Sequence, residues 1–408
     1  MSNTTYSYSL INPPFGFGGT YRSVSVTALN NQGIVLGTVY NSTGFGSTAT
    51  PFVYDNGSYT AVSVPWAYAT TVTQLNNAGE VIGRYQDSSG THSFVYQNGQ
   101  YTDVSVPGAM MTTLLQSSSS GKFLGTYFDS SGLHPFIDDN GHYIPLSVPG
   151  ATATFVTGGS ISTAMGPSIN DSDQVIGRYT DSSGTHSFLY SDGCYTTLAY
   201  PGSDTTNATQ INNNGQVLGT YTDPTGQHAF VFTNGQYAQI AVPGATSTNA
   251  MQINDSGQVA GTYQDSTGTH VFLETDGTYA TVDPGRTSAS GTYYSASFGQ
   301  LNNAGQVLGS FYGSTGSSTF LYSDGSTRNV GVSGAPSSSF SDLNDRGQLA
   351  GSFSDGVATY AVLATPACLS QTGSSGQDWS AAIPARGSAR LAELDTHAPQ
   401  LAHPLAGG

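Results

Sequence analysis

The chain has 408 residues with 52 glycines, 11% aromatics and 8% charged residues, too long for one small core and too aromatic for a disordered segment. Few charges beside abundant Gly, Ser, Thr and Tyr disfavour long helices, and glycine follows no period of three, which excludes collagen. Nine Lys plus Arg give a formal net charge of −16, so no basic patch can form for nucleic acid or an anionic membrane.

The N-terminus, Met1 to Thr5, lacks the basic region and apolar run of a signal peptide. No apolar stretch is long enough to cross a membrane as a helix. Tyr8 to Pro14 has the spacing of Tyr101 to Pro107 and reads as an isolated strand. Beyond it the chain is one unit repeated. Leu29-Asn30-Asn31-Gln32-Gly33 returns as Leu75 to Gly79, Ile211 to Gly215, Ile253 to Gly257, Leu301 to Gly305 and Leu343 to Gly347. Ile169 to Asp173 is a copy with Asp for Gly, which tolerates a left-handed backbone, and a degenerate copy ends at Gly121. The turn positions 33, 79, 121, 173, 215, 257, 305 and 347 are 46, 42, 52, 42, 42, 48 and 42 apart. A period near 42 is the length of a four-stranded propeller blade.

Each unit divides into four strands. A β-branched stretch such as Thr70 to Leu75 comes first, and Val81-Ile82-Gly83-Arg84-Tyr85 follows the turn. The third strand is a continuous apolar run, Phe94-Val95-Tyr96 or Phe230-Val231-Phe232, as expected of a strand buried on both faces. Asn56-Gly57, Asn98-Gly99, Asn140-Gly141, Asp192-Gly193, Asn234-Gly235, Asp276-Gly277 and Asp324-Gly325 then predict type I′ hairpins into a fourth strand. A glycine inside each second strand, Gly83 among them, implies the close approach of a neighbouring group, expected to be an aromatic of the adjacent blade. The last copy supplies three strands through Leu363, so the N-terminal strand completes it and removes both edges. The expected fold is all-β, an eight-bladed β-propeller over residues 6–365. It has seven blades if the copy around Gly121 is not a true blade.

Residues 366–408 leave the pattern and read as a flexible tail rich in Ala, Ser, Gly and Pro, or as a secretion or attachment signal. Cys194 and Cys368 would lie nearly opposite in the ring, too far apart for a disulfide.

His228-Ala229-Phe230 recurs as His92-Ser93-Phe94, His134-Pro135-Phe136, His186-Ser187-Phe188 and His270-Val271-Phe272, after Ile-Asn-x-x-Gly-Gln-Val-x-Gly at Ile211 to Gly219 and Ile253 to Gly261. In these steps the chain resembles the HAF-repeat family of bacterial proteins, a likeness that covers roughly residues 6–365. It implies export to the cell exterior, without an assigned chemistry. The units opening at Leu29, Leu301 and Leu343 lack the histidine.

Equivalent histidines of different blades cannot converge on one ion, so they are expected to brace the loop Asp of their own hairpin. Loops such as Asp87 to Gly90 carry one carboxylate each and read as Asx turns instead of calcium sites. No metal, cofactor or catalytic motif is expected. Length variation is more telling. The connection from fourth to first strand spans 10 positions from Pro65 to Leu75, but 15 from Pro14 to Leu29, 20 from Pro149 to Ile169 and 17 from Pro284 to Leu301. Insertions there, and in the Asn41 to Pro51 loop, fall on one face, where repeat proteins usually bind.

That face is aromatic. Phe15, Phe17 and Tyr21 lie in the first insertion, Phe155 in the second and Tyr293, Tyr294 and Phe298 in the third, while Trp66 and Tyr68 replace the usual Gly-Ala. Aromatics suit the apolar faces of sugars or a peptide, and Arg22 and Arg286 could hold a carboxylate. The plain alternative is that these rings pack the loops onto the rim. The expectation is a monomeric, non-catalytic binding module of the bacterial exterior with a glycan or peptide ligand. Its site residues would be Trp66, Tyr68, Tyr21, Arg22, Phe155, Arg286, Tyr293 and Tyr294. One alternative is a polysaccharide lyase or hydrolase using Tyr293, Tyr294 and Arg286, and a second is a structural scaffold.

Overall fold

The computed structural model describes residues 6–13, 21–43, 46–156, 167–284, 293–313, 316–356 and 358–367. Residues 368–408 of the expected tail, with Cys368, lie outside them, as do Phe15, Phe17 and Arg286, while Pro366 ends a strand. Among the described residues there are 32 strands and no helix. They form eight four-stranded antiparallel blades, two of which are joined into one sheet by a single parallel bridge, Thr269 to Ser295. Blades 1 to 7 cover residues 21–61, 69–104, 111–145, 153–198, 205–240, 247–281 and 293–330. Blade 8 takes three strands from residues 337–366, and its fourth is the N-terminal strand Tyr6–Ile11, paired antiparallel to Thr359–Pro366. The degenerate copy around Gly121 is a full blade.

Local chemistry explains the blade. All seven Asn or Asp residues of the predicted hairpin turns have φ between 46° and 53°, and each following glycine is also positive, as a type I′ turn requires. Asp173 takes the left-handed conformation at φ 61°. Phe52, Phe94, Phe136, Phe188, Phe230, Phe272 and Phe320 on the third strands are fully buried. Most glycines of the second strands answer to these rings, while Gly261 and Gly351 meet first-strand backbone, and one expectation is corrected. A Cβ on Gly83 would lie 2.7 Å from Phe94 Cζ and 2.3 Å from Thr71 O. The aromatic therefore belongs to the same blade, because Gly83 and Phe94 are direct cross-strand partners.

First strands of neighbouring blades touch one another, so they line the axis. There the Asn of each first turn forms a belt. Asn30 Nδ2 donates to Asn76 O, and Asn76 donates to Ser118 O. The relay resumes from Asn170 to Asn212, then to Asn254, Asn302 and Asn344. Asn344 donates to Asn30 O at 2.9 Å and returns the belt to blade 1. The interruption is at blade 3, where Ser118 stands in place of Asn. A parallel set of bonds spans it, since Ser119 N–H donates to Asp171 Oδ1.

A second column clasps adjacent blades. Gln74, Gln116, Gln210, Gln252 and Gln300 each accept a backbone N–H from the first strand of the next blade through Oε1, or from the segment that precedes its end. In blades 8 and 1 this register position holds Asp342 and Ala28, and in blade 4 it holds Ser168, where Pro167 O accepts the Ile211 N–H instead.

Candidate functional site

Each of the five histidines is braced through Nε2 within its own hairpin, and His270 Nδ1 also meets the buried Asp283 Oδ2 at 3.0 Å. Asp87 Oδ1 accepts the N–H and O–H of Ser89, both at 2.7 Å, and lies 3.1 Å from His92 Nε2. His92 also lies against Tyr85, ring centroids 4.9 Å apart. The set recurs at Asp129/Ser131/His134, Asp181/Ser183/His186 and Asp223/Thr225/His228. It recurs again at Asp265/Thr267/His270. The Ser89 hydroxyl and N–H, with His92, lower the Asp87 carboxyl to about 2. Among the described residues no group of His, Cys, Asp and Glu could hold a metal ion.

The insertions divide in a way the sequence did not reveal. In blades 1 and 7 the first strands, Tyr21–Leu29 and Tyr293–Leu301, are extended to nine residues, against seven in blade 2. Tyr21, Arg22, Tyr293 and Tyr294 therefore open strands instead of lying in loops. The side chains of these four residues lie outside the description. Phe298 sits within its strand and packs against the core between blades 6 and 7. In blade 4 the strand Ala153–Val156 pairs normally with Val175–Asp181, and the chain rejoins only at Ile169, bridged to Val175. Other blades pass this point with a one-residue bulge, as between Ala208 and Gln210. The extra residues of blade 4 thus enter at the bulge of the axial strand and not on the fourth-to-first connection. Phe155 is on that strand, partly exposed.

Trp66 and Tyr68 lie on the connection from blade 1 to blade 2 and are 59% and 75% exposed. Trp66 stands at the position of Gly108, which has φ 83°, and meets Tyr85 edge-on at 6.4 Å. Tyr68 does not replace the Ala of the usual Gly-Ala. Its N–H donates to Gln86 O as that of Met110 does to Phe128 O, so it aligns one residue beyond.

The connection leads into Thr70, Thr71 and Val72, which line a cleft of about 500 Å³ between blades 8, 1 and 2. Blade 1 contributes Val26, Thr27, Thr38, Tyr40, Ala49 and Pro51, and blade 2 contributes Thr70, Thr71 and Val72. Blade 8 contributes Ser341 and Asp342. The cleft lies beside two of the three junctions that lack the glutamine clasp. Asp342 is buried, and its carboxyl accepts a hydrogen bond from Ser341 Oγ at 2.7 Å. Burial pushes that carboxyl up to about 6, against the weaker opposing effect of Ser341. Of the eight residues expected to form a site, Tyr21 and Arg22 are on a strand that lines this cleft through Val26 and Thr27, and Trp66 and Tyr68 are on the connection that leads into Thr70 to Val72. Phe155 and the Tyr293–Tyr294 pair belong to blades 4 and 7. Asp342 was overlooked, though its signal was available as the residue that breaks a column of glutamines.

No protein-family model matches the chain, and no curated protein matches it. Solved structures do. The chain is similar to dipeptidyl peptidase 4 of Porphyromonas gingivalis at 7% identity and TM-score 0.50, covering 78% of this chain and 55% of that one. It is also similar to the β-propeller domain of the trilobed protease from Pyrococcus furiosus, at 12% identity and TM-score 0.46, covering 76% and 98% of the two chains. The fold is a β-propeller. At such identities the likeness bears on fold alone. A third similar structure, virginiamycin B lyase from Staphylococcus aureus, shares 10% identity at TM-score 0.36 and covers 72% of this chain and 94% of that one.

Proposed function

We propose that this propeller is a binding module of the bacterial exterior that recognises a carbohydrate or peptide at the junction of blades 1 and 2. The observation that carries this reading is the pair of exposed rings, Trp66 and Tyr68, on the connection that runs into the cleft-lining strand segment Thr70 to Val72. A ring serving only to pack a loop would be buried, as a plain scaffold would require, yet more than half of each surface faces solvent. The cleft has the size of a small-ligand site and alternates hydroxyls of Thr27, Thr38, Thr70, Thr71 and Ser341 with apolar Val26, Pro51 and Val72. Hydroxyl-rich ligands with apolar ring faces match that mixture. The HAF-like repeats support an exterior location. The test is a broad glycan and peptide array probed with folded protein and with the Trp66→Ala/Tyr68→Ala variant. Hits that fall about tenfold or more in the variant at unchanged melting temperature support the reading. Absence of any hit above background from folded protein defeats it.

A further inference from the structure

Five junctions of the ring share one solution to the same problem. The first strand of each incoming blade presents backbone N–H groups to its neighbour, and a glutamine Oε1 receives one, as Gln300 receives Leu343 N–H at 2.6 Å. At the junction from blade 8 to blade 1 the register position holds Asp342, one methylene shorter and acidic. It makes no such clasp. At the following junction Ala28 has no amide to offer and packs against the core between blades 1 and 2, while Val26 and Thr27 beside it line the cleft.

A glutamine at 342 would be neutral and would have a partner within the pattern of the other blades. The aspartate has neither advantage. Among the described residues Ser341 Oγ is its hydrogen-bond donor, and no Lys, Arg or His acts on it. A carboxylate accepts up to about four hydrogen bonds, so this one retains most of its capacity. A buried carboxylate without a cation is costly, and the compensation it lacks is a positive charge. The chain as a whole carries −16, which attracts cations toward any opening. Around Asp342 the cleft offers the Thr27, Thr38, Thr70 and Thr71 hydroxyls as acceptors for further N–H groups, and Tyr40, 45% exposed, as an aromatic wall.

We infer that the cleft takes a protonated primary amine, with the Asp342 carboxylate as its counter-ion. This rests on the cleft being the binding site proposed above and adds the chemical class of its ligand. An ammonium brings three donors and one charge to a carboxylate, so ion pairing and hydrogen bonding are met together. The amine can belong to an amino sugar or to a peptide N-terminus. The chemistry at Asp342 is the same for both, and the experiment separates them.

The experiment is calorimetric or NMR titration of the full chain with D-glucosamine and N-acetyl-D-glucosamine, and with trialanine and its N-acetylated form. The expected result is binding by at least one free amine, weakened about tenfold or more by acetylation and by Asp342→Asn. Asp342→Gln is the second variant and behaves like Asn. Trp66→Ala weakens free and acetylated forms alike, because the ring meets the ligand body. If acetylated and free forms bind equally, or if Asp342→Asn leaves the amine affinity unchanged, the amine assignment is wrong while the binding site at Trp66 stands. If none of the four probes binds and neutral array hits remain sensitive to Trp66→Ala, the assignment is equally overturned. Failure of the array and of all four probes removes both readings.

Discussion

Replacing Asp342 by Asn should stabilise the propeller at neutral pH and weaken it slightly, by about 1 kcal/mol, in acid. Burial moves this carboxyl from an ordinary 3.8 to about 6, a rise of about two units. At 1.36 kcal/mol per unit, the charged form costs the folded state about 3 kcal/mol when the group is fully ionised. The sign follows from linkage. A carboxyl whose folded value is raised favours the native state fully only below its unfolded value. That advantage is lost as pH rises, and the loss is complete above about 6. Asn keeps the shape without the charge. It also leaves a buried amide with one neighbour, at a cost of about 1 kcal/mol that does not vary with pH. The diagnostic quantity is therefore the change with pH. Urea midpoints for both proteins between about pH 4 and pH 8 should show the variant gaining up to about 3 kcal/mol on the wild type across that range. A difference that stays flat, or that runs the other way, would refute the assignment of a buried, uncompensated carboxylate to this cleft.

Other perturbations test the ring. Gly83→Ala places a Cβ 2.3 Å from Thr71 O and 2.7 Å from Phe94, and should cost about 3 kcal/mol in denaturant titration. Gly99→Ala meets open space but strains a φ of 84°, and should cost only about 1–2 kcal/mol. Asn212→Ala removes donors to Gln216 and Asn254 and the acceptor for the N–H groups of Asn214 and Gln216. A loss of about 3 kcal/mol, read as a lower melting temperature, is expected. Chelator or added zinc should leave the melting temperature unchanged, because each histidine spends its Nε2 on the Asp and hydroxyl of its own hairpin and these pairs are spread round the ring. A zinc-induced rise would contradict that bracing.

The fold was legible because each unit carries its own instructions. Asn98-Gly99 demands a turn whatever surrounds it, and Gly83 announces that something approaches closely. Which ring approaches was not legible. Gly83 and Phe94 meet through strand register, and the repeat spacing is equally compatible with a ring from the next blade. The insertion after Val156 was misplaced for a related reason. Counting from Pro149 to Ile169 measures how many residues are added, not whether they enter before the strand or at its bulge. Trp66 and Tyr68 stood out because their chemistry departs from the repeat. Asp342 departs as well, but subtly. Its meaning appears only when Gln74, Gln116, Gln210, Gln252 and Gln300 are seen to reach across to the next blade, a role invisible within any single copy.

The pairing that closes blade 8 also sets how the protein bears load. Tyr6 lies opposite Pro366 and Ile11 opposite Ala361, so the two chain ends leave the ring side by side. Tension applied between whatever precedes Tyr6 and whatever follows Pro366 would meet these hydrogen bonds one at a time, as a zipper is opened, instead of loading all of them in parallel. A propeller held from both ends would yield first at this seam, and the Asn344 to Asn30 link of the axial belt would be next to carry the strain. Held from one end only, the ring is not pulled open between its two ends, whereas two opposed anchors would make blade 8 a mechanical fuse.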